Sequence, residues 1–370
     1  MRAISLHSFR AVSFIVPAIA LVACSAVTED TGADEAAQTS VVCGNGVRED
    51  GEQCDDGNTS NLDGCSKSCG FEQVHRLNKL EMLFAADSYC TSNALGGAIK
   101  GVAQGQLQDA LSNAVADGSV SVLLPFMNVK DLTGQSVEDI TVGSMIADPA
   151  PGGSVDSWYE PNPSSLTESR EPLVTLPALL KGGQLSAGPG NIAFALNLAG
   201  TSADVKIVDT KLKAGIGAAT APKTSTGASP GHLASMNLDP AIKTFATTSG
   251  GQLCGSLSAA SLAAIRVPSA LTSGSTNCTQ GYTAQNSMLD VIVGGCKVFF
   301  ITALGATQPD KGDASAAVGA GAPYTFQTNS AKKVSGCKDK SGASVPLAAC
   351  LNAAGYSAGF KFTSERVIAR

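Results

Sequence analysis

Eleven cysteines constrain this 370-residue chain more than any other feature. Cys43, Cys54, Cys65 and Cys69 crowd into one short polar stretch, while Cys90, Cys254, Cys278, Cys296, Cys337 and Cys350 are dispersed over the rest. Cys24 stands apart at the end of an apolar run. With Cys24 set aside the remaining number is even, so all can pair, a usage expected outside the reducing cytosol. A stretch as small and polar as residues 43–69 cannot bury a core and must be held by its cross-links. Zinc is the competing role for these four, but their spacing, without a second CxxC, fits zinc poorly. Spacing alone does not choose among the possible disulfide pairings.

The N-terminus explains the odd cysteine. Arg2 and Arg10 flank and precede the apolar stretch Ala11–Ala20, followed by Leu21-Val22-Ala23-Cys24. A basic start, a short apolar segment and small residues before a cut site describe a secretory signal over residues 1–23. The tetrapeptide resembles a bacterial lipobox, which implies diacylglycerol on Cys24 as the mature N-terminus and a membrane partner reached through that lipid. An ordinary signal cut near Ala23 or an uncleaved helix are the competing readings, but the apolar run falls short of the about 20 residues that span a bilayer. Ser25, where a retention signal would put aspartate, favours the outer membrane or cell surface. Residues 24–42 are small, polar and acidic, as in a flexible tether. The whole chain carries a formal charge of −6, and losing Arg2 and Arg10 makes it more acidic. With no basic patch interleaved with aromatics, no nucleic-acid partner is expected.

From Cys43 the chain reads CGNGVREDGEQCDDGNTSNLDGCSKSC. This closely resembles the cysteine-rich repeat of myxobacterial surface proteins, whose pattern runs CGNG, E-x-G-E-x-C-D-D-G-N, D-G-C-S and a final cysteine. The resemblance implies a small disulfide-stapled module over residues 43–72. Asp55, Asp56, Asn58 and Asp63 gather oxygens among tight glycine turns, which suits a hard cation such as calcium. The same residues also commonly cap turns through their own backbone, and their spacing is not that of an EF-hand loop.

Residues 76–370 are rich in Ala, Gly, Ser, Leu and Val and must hold the core. Leu77–Phe84 is predicted as a strand, with Leu80, Met82 and Phe84 on its more apolar face. Residues 94–116 place apolar side chains at helical spacing interrupted by glycines, predicting one helix or two short ones. The run SVSVLLPFMNV after Gly118 is β-rich, and Ile192, Phe194, Leu196 and Leu198 alternate cleanly. Val205 and Ile207 share one phase and Leu212, Ala214 and Ile216 the other, so a bulge or hairpin lies between them. Lys297–Leu304 reads as one strand buried on both faces. Residues 148–173 and 307–336 lack periodicity and are expected as long loops. The sum is a mainly β chain, a β-sandwich-like domain with one or two helices. Around NALGGAIKG, VSVLLPF and GGQLSAGPGNI there is a faint resemblance to uncharacterised domains of myxobacterial lipoproteins. In those relatives the stretches matching 88–93 and 277–285 are acidic loops, which implies a Cys90–Cys278 disulfide standing in for bound calcium here. Cys337–Cys350 would then close a short loop, leaving Cys254 with Cys296.

Catalytic signals are weak. Gly227-Ala228-Ser229-Pro230-Gly231 and Gly355-Tyr356-Ser357-Ala358-Gly359 match G-x-S-x-G. The first puts proline where an oxyanion-hole N–H is needed, and the second has no histidine after its serine. His75 and His232 lack metal-ligand partners and read as exposed loop histidines. Trp158 and Tyr159 are the candidate stacking platform for a sugar or peptide, against a role as plugs that bury their own loop. No catalytic residue is nominated. The expected function is a non-enzymatic, lipid-anchored surface module for binding, adhesion or scaffolding, with an extracellular protein or polysaccharide as its ligand. The alternative is a cell-wall or polysaccharide hydrolase with a carboxylate pair. Calcium is the one cofactor the residues suggest.

Overall fold

The computed structural model describes residues 41–100, 103–149, 158–198, 201–224, 233–267, 281–298, 301–312 and 324–369. The signal segment, Cys24, the tether through residue 40, Ser229, His232 and Cys278 lie outside them. Residues beyond Ser40 belong to one compact unit.

A single sheet closes on itself. Its ring consists of β1 (Gln73–Met82), β2 (Val122–Met127), β3 (Glu138–Pro149), β5 (Val174–Lys181), β6 (Gln184–Leu198), β7 (Thr201–Ile216), β10 (Thr247–Ser258) and β17 (Ala354–Ala369). Each is antiparallel to the next, and β17 pairs with both β10 and β1. The expectation of a mainly β fold holds. The two facing sheets of a sandwich do not form, because β17 bonds on both edges and leaves the ring no open edge. β4 (Trp158–Pro161) extends the sheet at one rim, parallel to β17 and antiparallel to β3.

Side-chain alternation explains the closure. In β5, Leu176, Ala178 and Leu180 are buried in the core while Thr175, Pro177, Leu179 and Lys181 face out. In β7, Val205 and Ile207 point inward, then the phase changes and Leu212 and Ala214 do so. The expected break is a bulge, not a hairpin: Asp209 has φ +50° and the register slips on both neighbouring strands. A second bulge between Leu77 and Lys79 brings both Leu77 and Leu80 inside. Apolar residues face in and Lys206 and Lys211 face out, the reverse of a barrel whose wall meets lipid. Among the described residues no helix is long and apolar enough to cross a membrane.

Both mouths are covered. The segment at 94–116 forms two helices, α1 (Ala94–Ile99) and α2 (Ala103–Ala116). α2 touches β1 and β6, which stand on opposite sides of the ring, so it crosses one mouth. The other mouth is closed by the connection from β7 to β10, which carries β8 (Ala219–Thr220), β9 (Thr244–Phe245) and the fully buried Phe245. The axis between them is packed with Leu80, Leu124, Leu212 and Phe360, leaving an apolar void of about 20 Å³. That is space for about one water molecule, not a ligand.

α3 (Ala259–Ala264), α4 (Met288–Gly294) and α5 (Leu347–Ala353) add their apolar faces to the same core. The Lys297–Leu304 run is not one strand. β11 (Cys296–Val298) and β12 (Ile301–Leu304) fold back antiparallel, because an apolar run sets burial but not where the chain reverses. The two expected loops also carry structure: β4 lies in the first, while β13 (Lys311–Gly312) and β14 (Tyr324–Thr328) lie in the second, β14 pairing with β15 (Val334–Asp339) and β15 with β16 (Ser344–Val345). These strands are too short to show a period.

Candidate functional site

Residues 43–72 are knit by nested disulfides, Cys43–Cys69 outside and Cys54–Cys65 inside. Asp55 is their organising side chain. Its carboxylate accepts from the backbone N–H groups of Gly44 (2.7 Å), Asn45 (3.2 Å), Gly46 (2.8 Å) and Gly57 (2.8 Å). Gly44 and Gly46 have φ near +87° and +81°, so glycine is what lets the backbone curl its donors around one acid. The module rests on the β7–β10 connection: Asn237 Nδ2 donates to Gly46 O at 2.8 Å, Asp55 N to Asn237 O at 3.0 Å, and Asp239 N to Gln53 O at 2.9 Å. Cys54, Cys65, Leu233, Leu238 and Ile242 bury a small apolar cluster beneath it.

Of the four residues expected to gather around calcium, two are engaged in hydrogen bonds of the module's own turns. Asp55 spends its oxygens on backbone N–H groups. Asn58 is engaged on both sides, its Oδ1 accepting from Ser60 N (2.6 Å) and its Nδ2 donating to Asp63 Oδ2 (3.1 Å). Asp56 and Asp63 are left, each 5% exposed. Both oxygens of Asp56 and Oδ1 of Asp63 are buried with no hydrogen-bond partner. Burial, followed by the neighbouring Asp63 carboxylate, pushes Asp56 up to about 8. Glu72, which the sequence did not single out, lies next to Asp63. Its Oε2 accepts from Asp63 N (3.0 Å) and Gly64 N (3.3 Å), and burial, aided by the charge of Asp63, pushes it up to about 7. Its position just past the last module cysteine was the available signal. Cys43, Cys69 and Glu52 also cluster, but the sulfurs are spent in a disulfide and offer no thiolate to a metal.

Between module and barrel runs an open groove of about 810 Å³. Gln53, Asn61, Lys67 and Phe71 form its module wall, and Phe126, Asn128, Lys130 and Thr141 its barrel wall.

His75 corrects the sequence reading. It is not an exposed loop residue but fully buried in β1, because the strand begins four residues earlier than its apolar alternation suggests. Its ring packs in a three-ring cluster with Phe126 and Phe245, at centroid distances of 5.0 and 4.9 Å. Gln73 Nε2 donates to Phe245 O (2.8 Å) and meets His75 Nε2 at 3.1 Å, so Nε2 accepts and the proton stays on Nδ1, 3.1 Å from Ser364 Oγ. Burial and then the Arg366 charge lower its pKa to about 3. These residues form a polar layer under one mouth, in which Gln73 Oε1 is left without a hydrogen-bond partner.

Other candidates resolve structurally. Ser357 is 2% exposed on β17, and its hydroxyl donates to Asp310 Oδ2 (2.5 Å) and accepts from Ala94 N (2.8 Å), so it fastens the β17 backbone to α1. Tyr159 is fully buried against Val74, Leu123 and Val367, with the Arg76 guanidinium 5.9 Å from its ring centroid. It cannot present a stacking face and acts as the plug. Trp158 lies beside it in β4, paired with Ile368. The expected Cys90–Cys278 and Cys254–Cys296 bridges give way to Cys90–Cys254, since the loop after β1 folds back over β10. Cys337–Cys350 forms as expected, and Cys296 is also disulfide-bonded. No family model matches the sequence, and neither a curated protein nor a solved structure matches it.

Proposed function

We propose that this chain is an exported, lipid-anchored surface module, fastened through Cys24, that binds or scaffolds an extracellular protein or polysaccharide without transforming it. The observation that carries this reading is the groove between the cysteine-rich module and the barrel rim. It has the volume of a ligand site, and its lining combines amides, hydroxyls, amines and the carboxylates Glu72 and Glu171 with Phe71, Pro125 and Pro172. The barrel axis, by contrast, is filled. The disulfides Cys43–Cys69 and Cys54–Cys65 brace its module wall, which lowers the ordering cost of binding.

A hydrolase acting through a carboxylate pair would place both acids on an open wall. Asp56 and Asp63 are instead enclosed within the module, and of the two acids that line the groove, Glu72 and Glu171, Glu72 has its Oε2 held by the N–H groups of Asp63 and Gly64.

The test uses the protein extracted from membranes with its lipid intact. Intact mass should show a diacylglycerol increment on Cys24. Retention on isolated envelope polysaccharide or on envelope protein should be lost in Phe71→Ala combined with Lys130→Ala, and kept in the outer-wall variant Leu179→Ala. Equal retention of all three proteins removes the groove from the reading. Release of reducing ends from the polysaccharide would replace it with the hydrolase.

A further inference from the structure

We propose that the groove between the module and the barrel takes a segment of uncharged oligosaccharide, a few sugar units long, in preference to a peptide or a charged polymer. This rests on the reading of the groove as the binding site and names the ligand class it selects. The side chains of Asn128, Thr141 and Thr175 line the barrel wall and have no intramolecular hydrogen bond among the described residues. On the module wall Asn61 Oδ1 accepts from Lys67 N at 3.2 Å, and its Nδ2 is unused among the described residues. A hydroxyl both donates and accepts, so a sugar can answer amide N–H, amide carbonyl and hydroxyl alike.

Phe71 adds an apolar platform. It is partly buried, packing against the cluster of Cys54, Cys65 and Leu233, and it also lines the groove. Its backbone is fixed by a bridge to Cys65 and by Phe71 N donating to Gln53 Oε1 at 3.0 Å. A held aromatic side chain beside amides and hydroxyls complements a sugar ring, which carries C–H groups on its faces and hydroxyls on its rim.

Charge and backbone disfavour the other ligands. Lys67 and Lys130 are balanced by Glu72 and Glu171 within the same lining, so neither a polyanion nor a polycation meets a field of one sign. β1 is bonded to β2 and β17, β2 to β1 and β3, and β3 to β2 and β5. These strands therefore offer an extended peptide no free edge to pair with. An amphipathic helix needs a continuous apolar floor, which the amides and hydroxyls interrupt.

The full mature protein, disulfides intact, is tested by native mass and calorimetry against three probes. These are the neutral and the acidic oligosaccharides from partial hydrolysis of protein-free envelope polysaccharide, and tryptic peptides from the same envelopes. One neutral oligosaccharide per chain is expected, with affinity that rises over the first few sugars, then levels, and does not fall with added salt, because an uncharged ligand has nothing to screen. Phe71→Ala, and separately Asn128→Gly combined with Thr141→Val, should each weaken binding by about 10-fold or more. Asn128 has φ +64°, so glycine removes the amide without straining the backbone, and an unchanged melting temperature for that double variant separates lost binding from lost folding. Leu179→Ala, on the outer wall, should bind as wild type. Capture of the acidic oligosaccharides or the peptides, with the neutral fraction ignored, would overturn the ligand class while leaving the groove as the site. Neutral binding that survives both sets of substitutions would overturn its placement. Retention of none of the three removes the groove reading itself, and this inference with it.

Discussion

Cys90 and Cys254 are joined by a disulfide across 164 residues, directly over Gly359 on the neighbouring strand. The bridge ties the loop after β1 to the far side of the closing seam between β10 and β17. Peptide mapping without reduction should recover these two cysteines in one linked fragment. Replacing both with serine should cost about 2–5 kcal/mol, more than the same change at Cys337 and Cys350, whose separation of 13 residues closes a shorter loop. An equal or smaller loss at Cys90 and Cys254 would argue against a chain-entropy role.

Gly359 is required by proximity. A Cβ there would lie 3.0 Å from both Cys90 Sγ and Leu83 Cδ1. Gly359→Ala should destabilise by about 1–3 kcal/mol through overpacking. The penalty should shrink when Cys90 and Cys254 are both alanine, and a double-mutant cycle measures that coupling. Strict additivity would mean the contact is relieved elsewhere.

His75 makes stability depend on acid. Its pKa is about 3 when folded and about 6.5 when unfolded, so between those values the unfolded chain binds the extra proton. Stability from this residue is present above about pH 6.5 and falls on acidification by up to about 1.4 kcal/mol per pH unit, until the folded value is reached. Chemical denaturation from pH 7 to pH 4 should show that slope reduced by about one proton in His75→Gln, whatever the variant's absolute stability. An unchanged slope would place the acid sensitivity elsewhere.

Asp55 holds the module's first turn. Asp55→Asn removes the charge and half the acceptor capacity facing four backbone N–H groups. Hydrogen bonds to a charged group contribute about 1.5–3 kcal/mol each, so the module should open. Limited proteolysis should cut between Cys43 and Cys69 in the variant but not in the wild type. Resistance equal to wild type would show that the disulfides alone suffice.

Several elements were legible in the chain because a local period encodes which face is apolar. The helical spacing of residues 94–116 became α1 and α2, and the phase change between Ile207 and Leu212 became a bulge at Asp209. Cysteine density marked the stapled region. The acids Asp56 and Asp63 were visible as oxygen-rich turn residues. That Asp55 instead serves four backbone N–H groups was not, because it depends on which of them the folded loop presents.

The sequence by itself determined a mainly β chain with a disulfide-held N-terminal region and alternating apolar faces. Only the tertiary structure decided that the sheet closes. The bond between β1 and β17 joins Val74 to Val367, and no local pattern records a pairing so distant. That closure turned His75 inward against two aromatic rings and laid Cys90 over Cys254. The turns of the disulfide-held module brought Glu72 beside Asp63. Periodicity states which side of a strand is buried, whereas its partner is chosen by the free energy of the whole assembled core.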